Sequence, residues 1–169
     1  MTADDVRSDD VRSDEFFTIV NHTLEEEGGY VNDPTDKGGE TNYGISKRAY
    51  PDLNIFKLTE DDAIDIYWKD YWVRGKCYKV PVKLQAIYFD MCVNFGISGA
   101  IKVLQETANG KGADIGVDGK IGPNTIKAIQ NVSLERVRAF RVLKFAKIVI
   151  NKPEQVKFWY GWYRRSLKV

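Results

Sequence analysis

Three consecutive glutamates end the first predicted helix of the sequence. At 100° per residue, Glu27 falls on the same helix face as Val20 and Leu24, whereas Glu25 and Glu26 turn toward solvent. Burial, two neighbouring carboxylates and the negative end of the helix should each raise the pKa of Glu27. A glycosidase needs such a protonated acid to donate a proton to a leaving-group oxygen. Glu27 is therefore the candidate general acid; the alternative is an ordinary glutamate at a helix end.

A second carboxylate follows at a suitable spacing. Eight residues separate Glu27 from Asp36, and Thr41 follows on the same glycine-rich segment. Asp36 could orient a water molecule, and the Thr41 hydroxyl could hold that water. In inverting glycosidases the two carboxyl groups stand about 6.5–9.5 Å apart, a distance that a helix-end acid and a loop aspartate can span. Asp33 is the alternative base, although Asp33-Pro34 is more typical of a turn.

Three further polar residues are candidates for sugar contact. Asn42 and Tyr43 are either substrate-binding residues or ordinary loop residues. Asn94 lies near a predicted helix end, where it either binds an acetamido group or caps the helix. Aromatic rings also stack on sugars, but a cluster at helical spacing more often belongs to a core. The aromatic cluster of this sequence consists of Tyr67, Trp68, Tyr71 and Trp72.

The elements that must position these residues are mainly helices. Ser13 predicts the N-cap of the first helix, and Gly28-Gly29 predicts its end. Residues 30–46 are rich in Gly, Asn, Asp and Pro without a helical period, which predicts a loop or short β-hairpin. Thr59 with Asp62 predicts a capping box. Further helices are predicted over residues 59–73, 82–95, 98–108, 123–130, 133–150 and 153–166. The predicted fold class is mainly α, with a small loop or β-hairpin excursion after the first helix.

The charge of the chain is unevenly distributed, although its net value is +1. Residues 1–65 carry 17 acidic and 6 basic side chains, whereas residues 66–169 carry 7 and 19. This asymmetry either provides a basic surface for a polyanion, such as an anionic cell envelope, or reflects solvated faces that neutralise each other. A length of 169 residues predicts a single compact domain, with one or two lobes.

The predicted helix over residues 134–150 has two sides of different character. Its predicted apolar side consists of Ala139, Val142, Leu143, Ala146, Val149 and Ile150. Its predicted basic side consists of Arg136, Arg141, Lys144 and Lys147. Such a helix either contacts an anionic envelope or packs in the core with a basic outer face.

The two cysteines, Cys77 and Cys92, form no metal-ligand or redox motif. Cys92 lies in an apolar stretch at helical spacing, which predicts a buried thiol; a Cys77–Cys92 disulfide stays open if the protein acts outside the cytoplasm. The sequence shows no phosphate loop, metal-ligand cluster or nucleotide fingerprint, so we expect no metal and no cofactor. The acidic start of the chain is unlike a signal peptide, which predicts synthesis in the cytoplasm.

Residues 27–46, with the sequence EGGYVNDPTDKGGETNYGIS, closely resemble the signature of glycoside hydrolase family 108. Members of this family are lysozyme-like muramidases, often found as phage endolysins. The similarity to that family extends to Trp68 with Tyr71-Trp72, to Val80-Pro81 and to FDMCVNFG at residues 89–96. VDGKIGPNT at residues 117–125 is similar to an accompanying peptidoglycan-binding segment, and GWYRR at residues 161–165 is similar to its closing stretch.

The resemblance covers about residues 14–166 and implies a lysozyme-like helical fold. We expect a flexible tail over residues 1–12, where a charged five-residue unit begins to repeat. A catalytic lobe over residues 13–95 and a helical peptidoglycan-binding lobe over residues 96–169 should follow. They should pack in one compact unit.

The same resemblance implies that Glu27 is the essential acid. The order Glu, Asp, Thr is similar to the catalytic arrangement of phage lysozymes, although the interval from Asp36 to Thr41 is one residue shorter here. The implied reaction is cleavage of the β-1,4 bond between N-acetylmuramic acid and N-acetylglucosamine in peptidoglycan glycan strands.

The expected setting is cell-wall lysis, after release from the cytoplasm, by a monomer that has no nucleic-acid partner. The alternative is a non-catalytic wall-binding or secretion-assisting protein on the same fold.

Overall fold

The computed structural model describes residues 12–27, 29–32 and 39–169, excluding the side chains of Glu26 and Glu27. The predicted tail over residues 1–12, apart from Arg12, lies outside the described residues. The chain divides into two compact units after Val73. The predicted lobe boundary after residue 95 stays a prediction.

The first unit consists of two helical regions separated by a small hairpin. Its elements are α1 (Asp14–Glu27), β1 (Thr41–Asn42), β2 (Ile45–Ser46), a 3₁₀ turn (Ile55–Lys57), α2 (Glu60–Ile66) and a π-helical segment (Tyr67–Val73). The strands are antiparallel, with Thr41 opposite Ser46 and Asn42 opposite Ile45. The β-hairpin after the first helix is thus present.

The two α-helices of this unit begin where the sequence predicts them, and a side-chain hydrogen bond caps the start of each. The Ser13 hydroxyl accepts a hydrogen bond from the Phe16 amide (3.2 Å) at the start of α1. Thr59 and Asp62 form the predicted capping box, in which each side chain accepts a hydrogen bond from the other residue's backbone amide. Such a cap contributes about 1 kcal/mol to helix stability because it satisfies amide donors that the first turn leaves open.

The core of the first unit is aromatic. The ring of Phe16 lies 4.9 Å from that of Trp68 and 5.4 Å from that of Trp72, measured between centroids. These three side chains and Tyr67 are buried. Burying one such ring contributes about 2 kcal/mol or more. The core interpretation of the aromatic cluster is therefore confirmed for Tyr67, Trp68 and Trp72.

The second unit is helical throughout its regular elements. These are a 3₁₀ turn (Cys77–Lys79), α3 (Val82–Asn109), α4 (Pro123–Ile129), α5 (Leu134–Asn151), a 3₁₀ segment (Pro153–Phe158) and α6 (Trp159–Lys168). Together with the first unit, this arrangement confirms the predicted mainly α, lysozyme-like fold class with a small hairpin after the first helix.

Helix α3 joins two segments that the sequence predicts as separate helices. The junction is a kink at Gly96, whose φ of 72° and ψ of 159° are not helical. A side chain is disfavoured at this φ, so glycine suits the position. By length and composition α3 is the one described helix that could cross a membrane, with a mean hydropathy of 1.3 in its most apolar window. That window is 56% buried, as in the core helix of a globular unit.

Helix α5 buries a different face from the predicted one. Val137, Arg141 and Phe145, spaced by four residues, are its buried side chains. Leu143 and Ile150, which the sequence places on the apolar side, are 44% and 75% exposed. The predicted basic outer face was wrong for Arg141, whose side chain is fully buried.

A carboxylate from another helix accounts for the burial of Arg141. One oxygen of Asp90, on α3, pairs with Arg141, and the other accepts hydrogen bonds from Nη2 (2.7 Å) and Nε (3.0 Å) of Arg165 on α6. Burial lowers the pKa of Arg141, and the negative charge of Asp90 opposes this effect. Sequence periodicity places Arg141 at the surface because it cannot detect a partner 51 residues away.

The two cysteines lie side by side inside the second unit. Both are fully buried, their thiols are hydrogen-bonded to each other, and neither is part of a disulfide. Burial, together with the neighbouring Cys92, raises the pKa of the Cys77 thiol. Both thiols are buried away from solvent, so both should be unreactive while the protein is folded.

We therefore expect the folded, reduced protein at pH 8 to react slowly with a water-soluble thiol reagent, and the unfolded protein to react at both cysteines. The pKa of Cys77 is higher in the folded protein than in the unfolded chain. The protonated thiol therefore makes its full contribution to stability below the unfolded pKa of about 8.5, and this contribution is lost as the pH rises toward the folded pKa. Timed labelling with mass spectrometry measures the rate at which each cysteine reacts in the folded and in the unfolded protein. Rapid labelling of folded protein contradicts the burial, and a mass lower by two hydrogens indicates a disulfide.

Candidate active site

The candidate acid is the last residue of α1. Val20 and Leu24, which mark the helix face assigned to Glu27, are 0% and 9% exposed, while Glu25 is exposed. The helix face predicted for Glu27 is therefore the buried face. The side chains of Glu26 and Glu27 lie outside the described residues, so the inward direction of Glu27 stays a prediction.

Two backbone hydrogen bonds join Val31 to the hairpin. Val31 and Thr41 each donate an amide hydrogen to the carbonyl of the other, at 2.8 Å in both directions. Val31 therefore lies beside the first residue of β1. The two candidate bases, Asp36 and Asp33, lie outside the described residues.

Asn42 links the hairpin to the 3₁₀ turn. Its side chain is buried, and its amide nitrogen donates hydrogen bonds to the carbonyls of Ile55 and Leu58, both at 3.2 Å. Both amide hydrogens of Asn42 are thus used inside the protein. Its geometry is that of a residue that positions the turn, and its predicted contact with sugar stays a prediction.

Tyr43 occupies a strained position in the hairpin turn. Tyr43 and Gly44 have φ values of 50° and 76°, and a type I′ turn requires positive φ at both central residues. For a residue with a side chain this conformation costs about 1–2 kcal/mol. The Tyr67 hydroxyl donates a hydrogen bond to the Tyr43 carbonyl at 2.9 Å, which helps to hold the turn. Its half-buried ring leaves the predicted sugar contact open.

Two exposed aromatic rings lie in contact in the first unit. The Tyr30 and Phe56 ring centroids are 5.2 Å apart, and their planes are inclined by 81°. Tyr30 is 38% exposed and Phe56 is 66% exposed. Sequence reasoning missed this pair because an isolated aromatic residue in a loop has no periodicity to mark it. The position of Tyr30 in the EGGY motif, three residues after Glu27, was the available signal.

Asn94, the remaining predicted sugar ligand, belongs to the second unit. Its amide nitrogen donates hydrogen bonds to the carbonyl of Asp90 (2.6 Å) and to the carboxylate of Asp90 (3.1 Å). It thus extends the buried ion cluster of Asp90, Arg141 and Arg165. Because the residue remains exposed, its predicted contact with an acetamido group stays a prediction.

The second unit also contains an open groove of about 510 Å³. Both polar and apolar side chains line it, including Asp114, Asp118, Lys120, Asn124, Ile115 and Ile121. We call this surface the 114–125 groove. It contains most of the VDGKIGPNT segment.

Gln105, buried in α3, holds the loop that borders this groove. Its amide nitrogen donates hydrogen bonds to the Asp118 carboxylate (2.8 Å) and the Thr125 hydroxyl (3.1 Å), and its oxygen accepts one from the Gly119 amide (2.9 Å). The hydrogen bond from Gln105, with a second one from the Lys120 amide, lowers the pKa of Asp118. Asp118 therefore serves the loop as a carboxylate acceptor.

Glycine is required at position 119 for two reasons. Its φ is 73°, and a Cβ built there would lie 2.2 Å from the Ser98 hydroxyl oxygen. The loop therefore approaches α3 too closely for any side chain at this point. Within the described ranges, no cluster of three or more His, Cys, Asp or Glu side chains could hold a metal ion.

Comparison with known proteins divides the chain into two matching regions. Residues 20–96 match the family model of glycosyl hydrolase 108, and residues 99–167 match that of a predicted peptidoglycan domain. Among solved structures, that of SagA from Brucella abortus is similar, with a TM-score of 0.75 and 27% sequence identity over 90% of each chain. No curated protein matches the sequence.

Proposed function

We propose that the chain is an N-acetylmuramidase, because residues 20–96 match the family model of glycosyl hydrolase 108 and residues 99–167 match that of a predicted peptidoglycan domain. That it is a glycoside hydrolase acting on peptidoglycan follows from the two family matches. The proposal adds the bond, which is the β-1,4 link between N-acetylmuramic acid and N-acetylglucosamine. The observation that carries it is the family match across Glu27, Asp36 and Thr41.

In the proposed reaction Glu27 acts as the general acid. Its carboxyl proton passes to the glycosidic oxygen as the bond from the anomeric carbon to that oxygen breaks. Asp36 accepts a proton from the attacking water, whose oxygen bonds to the anomeric carbon, and the Thr41 hydroxyl holds that water. Proton exchange with solvent then restores both carboxyl groups. The hydrogen bonds between Val31 and Thr41 support this proposal, because they hold Thr41 beside a residue that follows Glu27 by only four positions.

Product analysis tests the bond. Purified peptidoglycan is digested with the protein, and the soluble fragments are reduced and analysed by mass spectrometry. Fragments with reduced N-acetylmuramic acid at the chain end are expected. Fragments that end in reduced N-acetylglucosamine, or free stem peptides, would overturn the proposal and indicate a different peptidoglycan hydrolase.

The proposed wall contact of the second unit is the 114–125 groove. All of its lining residues lie within residues 99–167, the part of the chain that matches the peptidoglycan domain. Its lining offers carboxylates, an ammonium group and an amide, and peptidoglycan presents amide, carboxylate and hydroxyl groups in return. Gln105 holds the loop in place before binding, which reduces the entropy lost on association.

Replacing Lys120 by alanine should weaken retention on insoluble peptidoglycan about fivefold, which corresponds to about 1 kcal/mol. The backbone bonds of Lys120 remain in this variant, so the loop should keep its shape. Lys127→Ala, an exposed lysine of α4 outside the groove, is the matched control. Co-sedimentation measures retention, and hydrolysis of soluble glycan fragments should be unchanged. Equal losses in both variants would indicate non-specific charge attraction instead.

The proposed setting is lysis of the cell wall by a monomer that reaches the wall after release from the cytoplasm. The excess of basic residues after position 65 supports an additional electrostatic contact with an anionic envelope. Such a contact should weaken as salt concentration rises, because exposed charges are screened.

A further inference from the structure

The exposed aromatic pair of the first unit has no evident role in folding. Phe56 is 66% exposed, although neighbouring Ile55 on the same turn is fully buried. Val31, next to Tyr30 in the chain, is 59% exposed. Tyr30, Val31 and Phe56 thus present apolar side chains to solvent.

The position of the pair relates it to the proposed catalytic residues. Tyr30 follows Glu27 by three residues, so their Cα atoms lie within about 11 Å of each other. Val31 is hydrogen-bonded to Thr41 through its backbone. The aromatic pair therefore belongs to the same group of segments as the proposed acid and the proposed water-holding hydroxyl.

The turn that presents Phe56 is fixed from several directions. Asn42 donates hydrogen bonds to the carbonyls on either side of Phe56, at Ile55 and Leu58. The Asn54 side chain accepts a hydrogen bond from the Lys57 amide at 3.2 Å. Little backbone freedom remains to be lost when Phe56 meets a ligand, so the ring is preorganised for binding.

The geometry of the two rings indicates which kind of ligand they can bind. In an edge-to-face pair one ring presents its edge, which leaves faces of the pair available to a third partner. The face of an aromatic ring is negative, and the C–H groups of a sugar ring, which lie next to oxygen, are weakly positive. We propose that Tyr30 and Phe56 form an aromatic platform that packs against a sugar ring of the glycan strand. This inference rests on the proposed function, since it places the substrate beside the proposed catalytic segment.

The test uses Phe56→Ala in the full chain, with a soluble tetramer of β-1,4-linked N-acetylglucosamine as the ligand. Calorimetry in the Glu27→Gln background measures binding without turnover. We expect a Kd about five- to tenfold higher for Phe56→Ala, while Phe56→Trp, which keeps an aromatic face, should bind as well as the parent. Tyr160→Ala is the matched control, because it removes a 70% exposed aromatic ring from the other unit.

On peptidoglycan fragments Phe56→Ala should raise KM by a similar factor and leave kcat within about twofold, since the ring contacts ground state and transition state alike. Equal tetramer affinity in Phe56→Ala and its parent overturns the platform, as does no binding of the tetramer by the parent. If the wild type binds the tetramer through Phe56 but releases no fragments from peptidoglycan, the platform stands and the proposed function fails. Unchanged thermal unfolding of Phe56→Ala confirms that the variant is folded.

Discussion

Replacement of Glu27 by glutamine is expected to lower the rate of peptidoglycan hydrolysis by at least about 100-fold, because general acids contribute about 10²–10⁴-fold. Glutamine has nearly the same size as glutamate and keeps its hydrogen-bonding capacity, but it has no acidic proton to give to the leaving oxygen. The release of reducing ends from purified peptidoglycan measures the effect. Retention on insoluble wall should be unchanged, since the 114–125 groove lies in the other unit.

The matched control is Glu25→Gln. Glu25 precedes Glu27 by two residues on α1 and is exposed, so its replacement should leave the rate within about twofold. Full activity of Glu27→Gln would place the acid elsewhere. If the wild type is also inactive while both proteins bind the wall, the chain is a wall-binding protein on the fold of an enzyme. The two candidate bases are separated in the same assay, where Asp36→Asn should be impaired and Asp33→Asn should not.

Replacement of Asp90 by asparagine is expected to destabilise the protein by about 3–5 kcal/mol, the range for removing one partner of a buried ion pair. Asp90 is the shared carboxylate for Arg141 and Arg165, and Asn94 also donates to it. Without it, the guanidinium of Arg141 remains buried without its counter-charge. Urea unfolding followed by tryptophan fluorescence measures the free energy of unfolding.

Arg141→Met provides a contrasting variant at the same cluster. It removes the buried charge whose Nε and Nη1 have no hydrogen-bond partner in the described part of the chain, and it keeps the pair between Asp90 and Arg165. A buried ion replaced by an apolar side chain of similar volume often changes stability little, so this variant should lose less than Asp90→Asn. The reverse order, or equal and small losses, would contradict the role assigned to Asp90.

Local signals in the sequence predicted much of the helical structure. Ser13, and Thr59 with Asp62, begin their helices as expected, because capping depends on side chains within three residues of the helix start. The buried stripe of α1 through Val20 and Leu24 follows from the 3.6-residue period alone. Prediction fails in α5, where Arg141 takes a core position that hydrophobic periodicity would give to an apolar residue.

In the candidate site, too, some residues are marked by the local sequence and others only by contacts between distant segments. Glu27, Asp36 and Thr41 are selected by residue type and by their spacing within one short segment, and their roles remain proposals. The chemistry of Asn42 and Phe56 depends on contacts between segments 13 or more residues apart: Asn42 binds the turn, and Phe56 meets Tyr30. No sequence period marks such contacts.

By itself, the sequence determined the helix starts, the apolar stripe of α1, the hairpin after it and the match of residues 20–96 to glycosyl hydrolase 108, because these depend on near neighbours or on a contiguous motif. Only the tertiary structure decided that Arg141 is buried, that Cys77 meets Cys92, and that Gln105 shapes the 114–125 groove. A charged or polar side chain can leave water only where distant groups satisfy its charge and hydrogen bonds, and folding alone brings those groups to it.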